Sequence, residues 1–163
     1  MELRLATVTP DNVDAACRLR MRPEQEGVVA PVAVSLAEAY ASPDVAWPRL
    51  VVGADDEVLG FVMAAFDPDN EIEAFRCGIW RLNVAADAQG LGVGRFAVQA
   101  VVEEARRRGN DRITVLWERH PHGPEGFYLR LGFRPTGAEL FGEVVGELVL
   151  PPGNSPGPPA ADG

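Results

Sequence analysis

The stretch Gln89-Gly90-Leu91-Gly92-Val93-Gly94 is the part of the chain that most restricts its fold. It lies between an apolar run at residues 79–84, typical of a strand, and a run at residues 95–108 with helical periodicity. A glycine-rich turn that opens a helix leaves backbone N–H groups exposed at the positive end of the helix dipole. The pattern therefore predicts a binding site for a phosphate-bearing cofactor.

Composition restricts the class of protein. The 163 residues are enough for one domain with a sizeable core, and 47% of them are hydrophobic, as in a globular protein. The net charge of −9 argues against a nucleic-acid partner and is compatible with a cationic substrate. With no apolar run of membrane-spanning length and no signal pattern, we expect a cytoplasmic protein without a membrane partner. Cys17 and Cys77 are expected as reduced core residues, and no metal site is expected.

The hydrophobic periodicity predicts one α/β (α+β) domain over residues 1–150 and a disordered Pro/Gly-rich tail over residues 151–163. Strands are expected at residues 3–8, 50–53, 58–66, 74–84, 112–117 and 143–150. Helices are expected at residues 9–21, 35–40, 91–108 and 124–131, the first capped by Thr9 and the second by a capping box from Ser35 to Glu38. The third helix should bury the face formed by Val93, Ala97, Val101 and Ala105.

Two classes of cofactor fit the glycine turn. Gly92-Val93-Gly94-Arg95-Phe96-Ala97 satisfies the G-x-G-x-x-A pattern of dinucleotide-binding folds, with Asp111 available for a ribose. In those folds the strand runs directly into the first glycine, whereas residues 85–89 intervene here. The predicted hairpin before the turn also departs from the early, repeated βαβ units of that class. Both departures favour a different cofactor.

The second class rests on a resemblance carried by two motifs. The glycine turn follows the pattern Gln/Arg-x-x-Gly-x-Gly/Ala and resembles the coenzyme A pyrophosphate loop of the GCN5-related N-acetyltransferase (GNAT) superfamily. The segment Phe127-Tyr128-Leu129-Arg130-Leu131-Gly132-Phe133 resembles that family's Leu-Tyr-x-x-x-Gly-Phe segment, and the predicted element order over residues 3–150 is also similar. The resemblance implies a mixed, mostly antiparallel central sheet flanked by helices, with strands splayed around acetyl-CoA.

The resemblance also implies roles for individual residues. The cofactor would be held by Leu82, Asn83, Val84, Gln89, Gly90, Leu91, Gly92, Val93, Gly94, Arg95 and Tyr128. A backbone N–H near Val84 would polarise the thioester carbonyl, and Tyr128 would be the general acid that protonates the departing thiolate. The family often has an Asn seven residues before that Tyr, where this chain has Pro121, so that contact is not carried over.

A protonated amine must lose a proton before it can attack a thioester. Glu118, Glu73 and His120 are candidates for the base, since they lie near predicted strand ends or in the turn that follows. Glu24, Glu26, Tyr40 and Trp80, and the acidic run from Asp67 to Glu73, are candidates for binding the acceptor. Carboxylates and aromatic rings both attract ammonium groups.

A narrower resemblance concerns the acceptor. The segments at residues 28–31, 35–40 and 124–128 resemble those of bacterial diamine or spermidine acetyltransferases. The sequence therefore predicts direct acetyl transfer from acetyl-CoA to a primary amine of a small cationic acceptor, with a polyamine favoured and a homodimer possible. Acetylation of an antibiotic or of a peptide amine, and a non-catalytic coenzyme A-binding domain, are the alternatives.

Overall fold

The computed structural model describes residues 2–152, which form one seven-stranded sheet in the spatial order β1-β2-β3-β4-β5-β7-β6. The strands are β1 (Arg4–Ala6), β2 (Ala46–Val52), β3 (Val58–Phe66), β4 (Cys77–Val84), β5 (Arg112–Trp117), β6 (Arg134–Leu140) and β7 (Glu143–Val149). The helices are α1 (Val13–Cys17), α2 (Val32–Ala41), α3 (Val93–Arg107) and α4 (Glu125–Arg130). Residues 153–163 of the predicted tail lie outside the described residues.

The sheet is mixed and mostly antiparallel, as predicted. Every neighbouring pair is antiparallel except β4 and β5, which are parallel and are connected through α3. β4 and β5 pair only at Gly78–Thr114 and Ile79–Val115. Beyond Ile79 the two strands diverge, so the sheet opens into a fork, and no strand within residues 2–152 pairs with this edge of β4.

The helices cover both faces of the sheet. On one face, α3 packs its buried residues Val93, Ala97, Val101 and Ala105 against β2, β3 and β4, which confirms the predicted face. On the other face, α1 and α2 pack through Ala16 and Val32. The alternation of strand side chains supplies both cores, because Val51 faces α3 while its neighbour Leu50 faces α2.

The predicted helix starts near the N-terminus were wrong. α1 begins after Asn12, whose side chain accepts a hydrogen bond from the Thr9 N–H, and it ends at Cys17, before the predicted end at residue 21. Beyond the helix, the Arg20 carbonyl accepts a hydrogen bond from the Ala86 N–H at 2.8 Å. α2 begins at Val32, so Ser35 lies within the helix and does not cap it. The Ser35 side chain is buried.

Strand β6 was missed in the sequence analysis. It contains Pro135 and Gly137, which are unfavourable in strands, and its residues are exposed apart from Leu140. A register irregularity between Pro135 and Glu139 interrupts its pairing with β7. An edge strand of this kind has no alternation of buried and exposed residues, so no periodicity indicated it.

The two cysteines were predicted to be reduced and to lie in the core. Both cysteines are free; Cys77 is buried as predicted, whereas Cys17 is only half-buried. Burial raises the pKa of the Cys77 thiol to about 11. None of the helices within residues 2–152 has the length and hydrophobicity of a membrane-spanning segment.

Candidate active site

The fork between β4 and β5 opens onto a cavity of about 610 Å³. β4 contributes residues 78–82, β5 contributes residues 114–117 and Glu118 follows it. Tyr128 of α4, with Pro124 just before that helix, closes one side. Trp80 is an extra residue in β4, because the register with β3 shifts between Met63–Arg81 and Ala64–Ile79. Such a bulge bends the strand locally and helps to separate β4 from β5.

The glycine turn lies between the end of β4 and the start of α3. Gly90 and Gly92 have φ values of 80° and 87°, which a glycine adopts without strain. Within the described residues, the backbone N–H groups from Gly90 to Arg95 have no hydrogen-bond acceptor, and an added Cβ at Gly90 or Gly92 would meet nothing within 4 Å. Free N–H groups beside open space at a helix N-terminus fit a pyrophosphate group.

Gln89 holds this turn in place. Its side-chain amide donates to the Val84 carbonyl at 3.3 Å and to the Gln25 side chain at 2.5 Å. Gly94 allows α4 to lie close to the turn, since it has no side chain. An added Cβ at this position would lie 3.0 Å from the Phe127 ring. The predicted cofactor residues of the turn and the helix that carries Tyr128 are therefore packed against each other.

Tyr128 lies at the junction of the cavity and the core. Its ring is stacked on Trp117, with centroids 5.8 Å apart, and packs edge-on against Phe127 and Phe133. Burial raises the pKa of its hydroxyl, which stays protonated at neutral pH. Within the described residues this hydroxyl has no hydrogen-bond partner, so it is available to a ligand in the cavity.

Three carboxylate residues line the cavity. Glu118 follows β5, Asp67 follows β3 and Glu143 begins β7. The positive charge of Arg81, which also lines the cavity, is partly balanced by an ion pair with Glu38 at 3.3 Å. The cavity therefore carries more negative than positive side chains, which suits a cationic ligand.

Several residues that the sequence singled out do not line this cavity. Glu73 forms an ion pair with Arg112 outside it. His120 lies in an exposed turn, where its Nδ1 accepts a hydrogen bond from the His122 N–H at 3.0 Å. Glu26 is exposed, and Tyr40 is 89% exposed on α2.

The three β4 residues predicted to bind the cofactor differ in position. Leu82 lines the cavity. Val84 ends β4 beside the glycine turn. Asn83 is buried, and its amide donates to the Ala30 carbonyl at 3.0 Å, so the side chain fixes the segment before α2.

Other cavity residues were missed in the sequence analysis. Asn70, Phe75, Thr114, Phe141 and Glu143 all line the cavity, although they come from distant parts of the chain. Recognition of β6 as a strand would have placed Phe141 and Gly142 in the two-residue turn before β7, and so indicated the position of Phe141. Within residues 2–152, no group of His, Cys, Asp or Glu side chains could hold a metal ion.

Comparison with known proteins finds a curated relative and many similar structures. Human N-acetyltransferase 8B is 26% identical over 91 residues, which cover 56% of this chain but only 40% of that protein. A GNAT-family protein from Desulfovibrio desulfuricans has a TM-score of 0.72 at 19% identity, over 92% of this chain and 100% of that one. A Salmonella typhimurium structure with its cofactor acetyl-CoA has a TM-score of 0.65 at 17% identity, over 96% and 98% of the two chains.

A family-level match covers both sequence motifs. Residues 20–133 match the profile of the Acetyltransferase (GNAT) family, and this range includes the glycine turn and the segment around Tyr128. The two similar structures share the overall fold of this chain. This chain therefore belongs to the GNAT family of acetyltransferases.

Proposed function

We propose that the protein transfers the acetyl group of acetyl-CoA directly to a primary amine of a small cationic acceptor, with polyamines as the favoured class. The observation that carries the proposal is the fork, at which the glycine turn, the edge of β4 beyond Ile79 and an acidic cavity lie together. Neither cysteine lines the cavity, which favours direct transfer over an acyl-enzyme.

The glycine turn and β4 would hold the cofactor. The free N–H groups from Gly90 to Arg95 would bind the pyrophosphate, with Arg95 adding a positive charge at the surface. The edge of β4 beyond Ile79 would bind the pantetheine amides in the manner of an added strand. A backbone N–H near Val84 would stabilise the developing oxyanion.

The proton transfers need one base and one acid. Bound acetyl-CoA would supply a thioester whose carbonyl carbon the amine nitrogen attacks. The nitrogen would then lose its second proton to solvent as the C–S bond breaks, so that the products are an amide and a thiolate. Glu118, directly or through a water molecule, would take the proton that the ammonium group must lose, since it is the one of the three proposed bases that lines the cavity. Tyr128 would give its hydroxyl proton to the thiolate sulfur and regain one from solvent.

The test of the proposal is acetyl-CoA-dependent thiol release with spermidine, putrescine, an aminoglycoside and a short peptide as acceptors. Release that depends on spermidine or putrescine, with acetylated amine found by mass spectrometry, is the expected result. Release with the aminoglycoside or the peptide alone would contradict the polyamine class and establish another acceptor. Acetyl-CoA that raises Tm without any release would favour a coenzyme A-binding domain without catalysis.

Gly92→Ala is expected to weaken coenzyme A binding about tenfold. The new methyl group would occupy the space above the turn, and an alanine at a φ of 87° is strained. The measurement is the Kd for coenzyme A by calorimetry.

Gly109→Ala is the matched control for this change. Gly109 follows the other end of α3, has a φ of 85° and has the same open space around it. Equal weakening by both variants would indicate a general effect of backbone strain and contradict a phosphate site at Gly92.

A further inference from the structure

The turn between β6 and β7 has an unusual residue. Leu140 pairs with Glu143, so the hairpin loop consists of Phe141 and Gly142, which have φ values of 54° and 78°. Two-residue hairpin turns with two positive φ angles strongly favour Asn-Gly or Asp-Gly, and a bulky residue at the first position is an outlier. Phe141 is also 82% exposed, so burial of its ring does not compensate for the strain.

The Phe141 ring lies against a second aromatic ring at the wall of the cavity. It is stacked parallel to Phe75, with centroids 6.1 Å apart and an angle of 2° between the planes. Both rings line the cavity that also contains Tyr128 and Glu118. Strained backbone that folding does not require is found most often where a ligand is bound.

The charged neighbour of these rings is Glu143, the residue that follows the turn. Glu143 lines the same cavity, and within residues 2–152 its carboxylate has no ion pair or hydrogen bond. Of the other two carboxylates that line the cavity, Asp67 accepts a hydrogen bond from the Asn70 amide at 2.9 Å, and Glu118 is the proposed base. A free carboxylate beside two aromatic faces is suited to an ammonium group.

We propose that Phe141, Phe75 and Glu143 form a subsite for the second ammonium group of a diamine acceptor, and so determine its specificity. This inference rests on the proposed function, because it assumes that the first amine is acetylated near Tyr128. The methylene chain of the diamine would lie along the cavity, and its distal cation would contact the aromatic faces and the Glu143 carboxylate. A monoamine of the same length would lack that contact.

The experiment compares putrescine with butylamine and cadaverine with pentylamine, as chain-matched pairs. The wild-type protein is expected to have a lower KM for each diamine. Phe141→Asn creates the favoured Asn-Gly turn, so it should raise Tm by about 3 °C, while it lowers the preference for the diamine, measured as the ratio of monoamine KM to diamine KM, about fivefold. Glu143→Gln should also reduce the preference for the diamine.

Asp55→Asn is the matched control. Asp55 has a φ of 57° in the connection between β2 and β3, which does not line the cavity, so the diamine preference should stay unchanged. A Phe141→Asn variant with a higher Tm and an unchanged diamine preference would overturn the subsite.

Failure of the proposed function would be recognised separately, as the absence of acetyl transfer to any amine by the wild-type protein. The subsite is then judged by the rise in Tm that cadaverine causes in the presence of coenzyme A. Loss of that rise in the Phe141→Asn variant would support the subsite. An equal rise in the variant and the wild-type protein would overturn it, and so would the absence of any rise in the wild-type protein.

Discussion

Tyr128→Phe is expected to lower kcat about 10³-fold while the Kd for coenzyme A stays unchanged. The variant keeps the aromatic ring and therefore the stacking on Trp117 and the edge-on contacts with Phe127 and Phe133. Only the hydroxyl is lost, and within the described residues no protein group bonds to it. Steady-state kinetics and calorimetry with coenzyme A measure the two quantities.

The pH dependence follows from the burial of the same hydroxyl. Burial raises the pKa of Tyr128, so this group stays protonated and should cause no loss of kcat up to a pH of about 10. The folded state disfavours the phenolate form of Tyr128. The contribution of this group to the free energy of unfolding is therefore fully present below the ordinary tyrosine pKa of about 10, and it is lost as the pH rises above that value. Tyr128→Phe should remove that part of the alkaline loss of stability.

Tyr40→Phe is the control, since it removes the chain's other tyrosine hydroxyl, which the structure leaves exposed outside the cavity. We expect its kcat to equal that of the wild-type protein. An unchanged kcat in Tyr128→Phe would exclude the general-acid role. A fall in kcat in both variants would support the sequence-based prediction that Tyr40 binds the acceptor.

Gly78→Ala is expected to destabilise the protein by about 3 kcal/mol, which corresponds to a Tm about 10 °C lower. A Cβ at this position would lie 2.5 Å from both the backbone oxygen and the side-chain oxygen of Thr114. The Thr114 hydroxyl cannot turn away freely, because it donates to the Ala74 carbonyl at 2.5 Å. Since Gly78–Thr114 is one of the two residue pairs that join β4 to β5, the sheet would separate at the base of the fork.

Thermal and denaturant unfolding measure this effect. Gly53→Ala serves as the control, because the atom closest to its added Cβ is the end of the flexible Leu59 side chain, 2.8 Å away, which can move. We expect a cost below about 1 kcal/mol there. Equal losses in the two variants would mean that the β4–β5 junction is no more tightly packed than an ordinary strand end.

Local patterns were sufficient to predict the elements around the glycine turn. The glycines predicted a turn before a helix, and the four-residue spacing of Val93, Ala97, Val101 and Ala105 predicted the buried face of α3. These features depend on φ and ψ preferences and on side-chain periodicity within a few residues. Strand β6 has no such periodicity, and its place in the sheet follows from its pairing with β7.

The sequence by itself determined the α/β class, the glycine turn before α3 and the family, because each depends on residue patterns within short segments. Only the tertiary structure decided which carboxylates share the cavity with Tyr128, that Glu73 is paired with Arg112 outside it, and that Phe141 stacks on Phe75. Those contacts join residues far apart in sequence. They depend on strand register and on the divergence of β4 from β5, which local residue patterns do not encode.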